Sequence, residues 1–175
     1  MAILEILEAP HPILSQNARP VRPDELGPAL QQRLSDMAET MYAAPGVGLA
    51  APQVGDLRRM IVCDPGAGEE DEGRTLYLMV NPVIVERSKE MIEGDEQCLS
   101  VPEIVVRVKR HLRITMEWLP QGEPKRQDFE DWPAIVLQHE LDHLQGSTLY
   151  DRASSLKRSR YLRSRKKAMA TEYAR

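Results

Sequence analysis

Apolar residues recur at helix-face spacing in one early stretch of the chain and again near residue 140, with strand-like runs between them. Over 24–43, Leu26, Leu30, Leu34, Met37 and Met41 follow one another at steps of four, four, three and four, along one side of an α-helix. The stripe predicts an amphipathic helix with its apolar side in the core. Gly27-Pro28 lies near its start, where proline is tolerated, and Pro45-Gly46 ends it. A glycine-rich loop follows, Gly46-Val47-Gly48-Leu49-Ala50-Ala51-Pro52-Gln53. Short strands are predicted around 58–63, 75–80, 83–86, 104–109 and 112–118, with an exposed acidic loop from Gly66 to Gly73. A second helix is expected from near Asp131, with Pro133 in its first turn, to a stop at Gly146; a third would fill most of 154–172. No repeat, low-complexity tract or linker divides residues 1–175, so a single domain is expected. The fold class is α+β: small mixed or antiparallel strands packed around a central helix, with N-terminal and C-terminal helices.

Composition is ordinary for a globular protein, 42% hydrophobic and 29% charged. No run approaches the roughly 20 apolar residues that span a bilayer, and the N-terminal MAILEILEAP carries glutamates where a secretory signal would be basic. A soluble, cytoplasmic protein with no membrane partner is expected. In that reducing compartment Cys63 and Cys98 are not expected to pair. Cys63, in the apolar run Arg59-Met60-Ile61-Val62-Cys63, reads as a buried, inert thiol. Charge is unevenly spread: residues 152–175 hold nine Lys or Arg against Glu172, a tail of +8, while the rest of the chain carries −12. This basic C-terminal helix suits a polyanion.

The chemistry concentrates in Gln138-His139-Glu140-Leu141-Asp142-His143. Histidines four apart on a helix lie about 40° out of line, so both imidazoles can reach one ion while Glu140 projects beside it. An ion there acidifies water, and a neighbouring carboxylate takes the proton and delivers it to the leaving group. The run Ala134-Ile135-Val136-Leu137 makes this a buried helix, not a solvated face. His11 and His111 have no partner at ligand spacing and read as surface or core residues. Two histidines need a third protein ligand. A third histidine six residues on is missing, since that position is Leu149, and the only downstream glutamate is Glu172. Cys98 remains, and a thiolate with two imidazoles suits zinc or another late first-row ion.

Three segments together resemble the peptide deformylase family: Gly46 to Gln53, Glu96-Gln97-Cys98-Leu99-Ser100, and Gln138 to His143. Their order and separations match as well, over most of the chain. The resemblance implies removal of the formyl group from the N-terminal formylmethionine of nascent polypeptides by a single catalytic domain. It implies one divalent metal ion, typically Fe2+, with Ni2+, Co2+ or Zn2+ as substitutes, held by Cys98, His139 and His143. Glu140 would be the acid/base. The Gln53 side-chain amide and the Leu99 backbone N–H would donate to the formyl oxygen, where negative charge develops. Val47 and Gly48 would pair with the extended substrate backbone, and Val47 and Ile135 would wall the methionine pocket.

Two positions depart from the family pattern. Gln97 stands where glycine usually precedes the metal cysteine, and Val105 where arginine is common. Gln97 bears on main-chain geometry beside the substrate, and the missing arginine at Val105 on how residues after methionine are held. The resemblance also implies that the basic tail docks on ribosomal RNA. Rival readings are another metal-dependent amidase or peptidase, which has no account of Cys98 and the glycine loop, and a catalytically impaired relative, which should have lost a ligand or Glu140.

Overall fold

In the computed structural model, residues 2–67, 74–119 and 123–172 are described, with side chains to Lys167 in the last stretch. The first predicted helix is α1, Pro28–Ala43, with Pro28 in its first turn. It begins later than the expected 24, because Pro23–Glu25 forms a separate 3-10 turn and the Gly27 backbone is extended. Leu30, Leu34, Met37 and Met41 are at most 1% exposed, so the predicted stripe is core, each side chain contributing about 1.5–3 kcal/mol.

Five strands, β1 (Gly48–Ala50), β2 (Met60–Cys63), β3 (Tyr77–Arg87), β6 (Arg113–Leu119) and β7 (Lys125–Glu130), form an antiparallel sheet in the order β1-β2-β3-β6-β7. A separate hairpin joins β4 (Met91–Cys98) to β5 (Val101–His111). β2 shows why the sheet lies between helices. Met60 and Val62 pack with α1, while Ile61 and Cys63 point the other way, into a core shared with α2, Asp131–Leu144. With both faces covered, β2 reads as an uninterrupted apolar run.

The predicted strands 75–80 and 83–86 are one strand, β3, interrupted by a bulge. Asn81 sits there at φ 51, and its side chain accepts from Val21 N at 2.8 Å and donates to Val21 O at 2.9 Å. A left-handed asparagine fixed by two backbone contacts bends the strand without ending it. Runs expected at 58–63, 104–109 and 112–118 correspond to β2, β5 and β6. The glycine loop was expected to be irregular, but β1 lies within it. β4 and β7 were not expected. Of the acidic loop Gly66–Gly73, residues 68–73 fall outside the described residues; Gly66, expected exposed, is buried.

The hairpin packs its inner face on the end of the chain. Ile104, Val106 and Val108 form a row with Leu14, with Leu149 of α3 (Leu149–Arg152), and with Tyr161 of α4 (Ser155–Glu172). α4 is tied down further: the Tyr161 hydroxyl donates to Ala9 O at 2.9 Å, Ser164 Oγ donates to Glu103 at 2.8 Å, and Arg165 pairs with Glu8. No described helix is long and apolar enough to cross a membrane.

α2 ends two residues before the expected stop. Gly146, just past its end, has φ +69, and a Cβ there would lie 2.7 Å from Ser15 O. Glycine is required twice over, by conformation and by the close passage of the N-terminal segment. Gly146→Ala is expected to lower stability by about 1–3 kcal/mol, read as a lower urea midpoint at unchanged m-value. Gly94→Ala, where a Cβ meets nothing within 4 Å, should stay within about 0.5 kcal/mol of the parent. Equal midpoints for the two variants would contradict this.

Candidate metal centre

α2 delivers three of the predicted residues from one end of its run. His139 and His143 stack one turn apart with ring centroids 5.1 Å from each other, and Glu140 lies beside them. The third ligand arrives from the hairpin. Cys98 ends β4 and pairs directly with Val101, leaving Leu99 and Ser100 as a two-residue turn. Alternation along β4 then decides the orientation: Glu96 and Cys98 are buried on one face, while Gln97 between them is exposed.

Cys98 Sγ lies 3.2 Å from His143 Nε2, and the three ligand atoms of Cys98, His139 and His143 all fall within 4.8 Å of one another. Bonds of about 2.0–2.3 Å around a tetrahedral ion would put ligand atoms roughly 3.3–3.7 Å apart. The donor set therefore fits a divalent metal with only small adjustments. Near it, Glu140 Oε2 is buried with no hydrogen-bond partner among the described residues, a vacancy in hydrogen bonding that a reacting group can satisfy.

A chain of four residues not singled out as functional stands behind the first imidazole. His139 Nδ1 is 2.9 Å from Glu96 Oε2, which leaves Nε2 for coordination. Glu96 in turn accepts two hydrogen bonds from Arg110, from Nε and Nη2, each at 2.8 Å. Arg110 also donates to Asp142 at 2.7 Å, and Asp142 accepts from Arg152 of α3 at 2.7 Å. Glu96 was visible in the sequence as the residue two before Cys98, on the same strand face. Arg110 was visible only as the last of the inward row 104, 106, 108, 110.

Burial sets the electrostatics. Removal from water pushes the Glu140 carboxyl up to about 7. Burial pushes Glu96 the same way, but Arg110 and His139 outweigh it and hold that carboxyl at about 2. For His139 burial lowers the pKa, yet hydrogen bonds to Cys98 and Glu96 prevail and bring it to about 10. His143 is driven well below the ordinary histidine range by burial, helped by the positive charges of His139 and Arg110. Two bases competing for one positive charge behave in this way. Cys63 is fully buried and its thiol is pushed up by burial, in keeping with an inert core cysteine.

The remaining predicted residues meet around one cleft of about 690 Å³, whose lining includes Val47, Gly48, Gln53, Leu99, Ile135 and His139. Gln53 lies in a 3-10 turn, Ala51–Val54, with its Oε1 accepting from Ala50 N at 2.8 Å. Its Nε2 donates to Ser100 Oγ at 3.1 Å and lies 3.7 Å from Cys98 Sγ. Gly48 is needed for a reason the sequence did not disclose: a Cβ there would meet Glu140 Oε1 at 2.4 Å. The glycine makes room for the carboxylate. His11 and His111 serve structure, capping a 3-10 turn and contacting Ser88 O at 2.8 Å.

Comparison with known proteins gives the same picture. The polypeptide deformylase family model matches residues 3–159. Peptide deformylase of Desulfotalea psychrophila is 43% identical over 168 residues, covering 95% of this chain and 97% of that protein. The enzyme of Phenylobacterium zucineum is 44% identical over the same shares. Among solved structures, peptide deformylase of Ehrlichia chaffeensis superposes with a TM-score of 0.89 at 32% identity, covering 98% of this chain and 99% of that one. Actinonin-bound class I type b peptide deformylase of Acinetobacter baumannii gives 0.78 at 36% identity, covering 88% and 100%. The chain belongs to the peptide deformylase family.

Proposed function

We propose that this chain hydrolyses the formyl group from the N-terminal formylmethionine of nascent polypeptides, releasing formate. The observation that carries this reading is a Cys98-His139-His143 donor set beside a buried carboxylate with an unpartnered oxygen, at the end of an open strand edge. A divalent ion held by these three residues supplies Lewis acidity, acidifying water and polarising the formyl oxygen. We assign it as Fe2+ by family membership; the same donors accept Ni2+, Co2+ or Zn2+.

Glu140 takes the proton from water and passes it to the departing amine. A carboxyl raised to about 7 by burial is matched to both halves of that task near neutral pH. Gln53 is held by Ala50 and Ser100 with its amide nitrogen beside Cys98, so an N–H is available to the formyl oxygen. The Leu99 N–H, at the first turn position after Cys98, is the second donor. Held in place beforehand, these two groups stabilise developing charge without reorganising.

Substrate backbone adds to the sheet. β1 pairs with β2 on one side only, so the edge carrying Val47 and Gly48 accepts an extended peptide. Val47 and Ile135, both half-buried on the cleft, bound an apolar pocket for the methionine thioether. No Lys or Arg lines the cleft among the described residues, and Val105 is 38% exposed at its rim. Downstream residues are therefore held by main-chain hydrogen bonds and apolar contact, with Asp95, Gln97 and Glu103 as polar groups on the cleft. α4 turns Arg160, Arg163 and Lys166 to the exterior while its other face is anchored on the body, which supports docking on ribosomal RNA in the cytoplasm.

Anaerobically prepared, metal-loaded protein is expected to release formate from a formyl-Met tripeptide and to leave the acetyl-Met analogue intact. Cleavage of neither, with one metal bound per chain, would overturn the assignment. Glu140→Ala is expected to keep one metal per chain while losing roughly 10²–10⁴-fold in turnover; parent-like turnover would remove Glu140 from the mechanism. The iron-loaded form should inactivate faster in air than under argon, as ferrous iron and its thiolate ligand oxidise. Equal half-lives in the two atmospheres would contradict the iron assignment.

A further inference from the structure

α2 presents a second functional face. Gln138, Leu141 and Asp142 of α2, with Gln145 just past its end, follow at steps of three, one and three along a strip adjoining the one that carries Ile135 and His139. They line a separate pocket of about 300 Å³ with Arg59 at the start of β2, Val83, Ile84 and Arg87 of β3, and Arg110 of β5. Its charge is unbalanced. Of the three guanidinium groups in the lining, Arg110 is neutralised by Glu96 and Asp142, and Asp142 also accepts from Arg152 at 2.7 Å, so Arg59 and Arg87 carry the excess charge.

Arg59 is the telling residue. It is half-buried, burial holds its pKa below the ordinary arginine value, and its side chain makes one hydrogen bond, from Nη2 to Pro82 O at 2.8 Å. No carboxylate lies within ion-pair distance of Arg59 or of Arg87 among the described residues. A guanidinium offers five N–H donors, so most of those on both arginines have no protein acceptor. Val83, Ile84 and Leu141 add apolar wall, and Gln138 and Gln145 add neutral polar groups. For the half-buried Arg59, a partly desolvated cation without a counter-ion is costly unless something supplies the charge, and the exposed Arg87 stands beside it.

We propose that this pocket is an anion-binding site taking a small molecule with a carboxylate or phosphate group, gripped by Arg59 and Arg87 with Arg110 behind them. Planar guanidinium forks match both groups bidentately. A volume of about 300 Å³ favours a small body on the anion. Arg110 connects the site to the metal centre, because the same guanidinium holds Glu96 and, through it, His139.

The test uses the zinc-loaded chain, which is diamagnetic, in low-salt buffer free of other multivalent anions. Inorganic phosphate and benzoate are titrated separately while the Nε–H resonances of the arginines are followed by NMR. Saturable shifts at Arg59 and Arg87 with either probe support the site, and the better probe identifies the anion class. Arg87→Ala, an exposed position that should not disturb folding or basal deformylation, is expected to weaken binding by about tenfold, a usual effect of removing one bidentate charged contact. Arg59→Lys, which keeps charge but loses the fork, should weaken it as well. Binding unchanged in Arg87→Ala, binding abolished instead by Arg160→Ala on α4, or no saturable shift with either probe would overturn the proposal.

Discussion

Arg110 carries a permanent positive charge to a position only 6% exposed, and the metal centre depends on how that charge is neutralised. A buried guanidinium stripped of its partners is destabilising by about 3–5 kcal/mol, so the folded position of β5 depends on Glu96 of β4 and Asp142 of α2 both being in reach. Meeting that requirement fixes the hairpin against the helix. Glu96, once held, orients His139, and the strand alternation that buries Glu96 also buries Cys98. Ligands from two distant parts of the chain are thereby brought together by a charge that touches none of the reacting atoms.

The same logic explains why one carboxylate is held firmly ionised while its neighbour is poised between its two forms near neutral pH. Glu96 has Arg110 and His139; Glu140 has a glycine on one side and no hydrogen-bond partner for Oε2. Burial acts on both, but Arg110 and His139 hydrogen-bond Glu96 directly and outweigh it there, whereas the same charges reach Glu140 only through space and do not. Two acids within one helix-hairpin junction thus divide the work, one fixing geometry and the other moving protons.

Much of this was legible in the sequence because periodicity and spacing are local. The α1 stripe, the apolar β2 run and the His139-Glu140-His143 spacing each specify their element without reference to a partner. β7 could not be read this way. Lys125-Arg126-Gln127-Asp128-Phe129-Glu130 buries only Phe129, and it is a strand because it pairs with β6 at the sheet edge, where charge is tolerated. β4 was hidden for the same reason, since Met91 to Asp95 bury nothing fully and the pattern emerges only at Glu96 and Cys98. The extension of β3 through Asn81-Pro82 required knowledge of Val21, sixty residues away. Gly48 was recognised as part of a glycine loop, but its closest constraint is Glu140, in a helix nearly a hundred positions later.

The central claim is that Cys98 joins His139 and His143 on one ion, and X-ray absorption at the metal edge of the zinc-substituted protein tests it most directly. The account predicts one sulfur at about 2.3 Å and two imidazole nitrogens at about 2.0–2.1 Å, with the sulfur shell lost in Cys98→Ser. A first shell of nitrogen and oxygen alone in the parent, or a sulfur shell that survives the substitution, would contradict it.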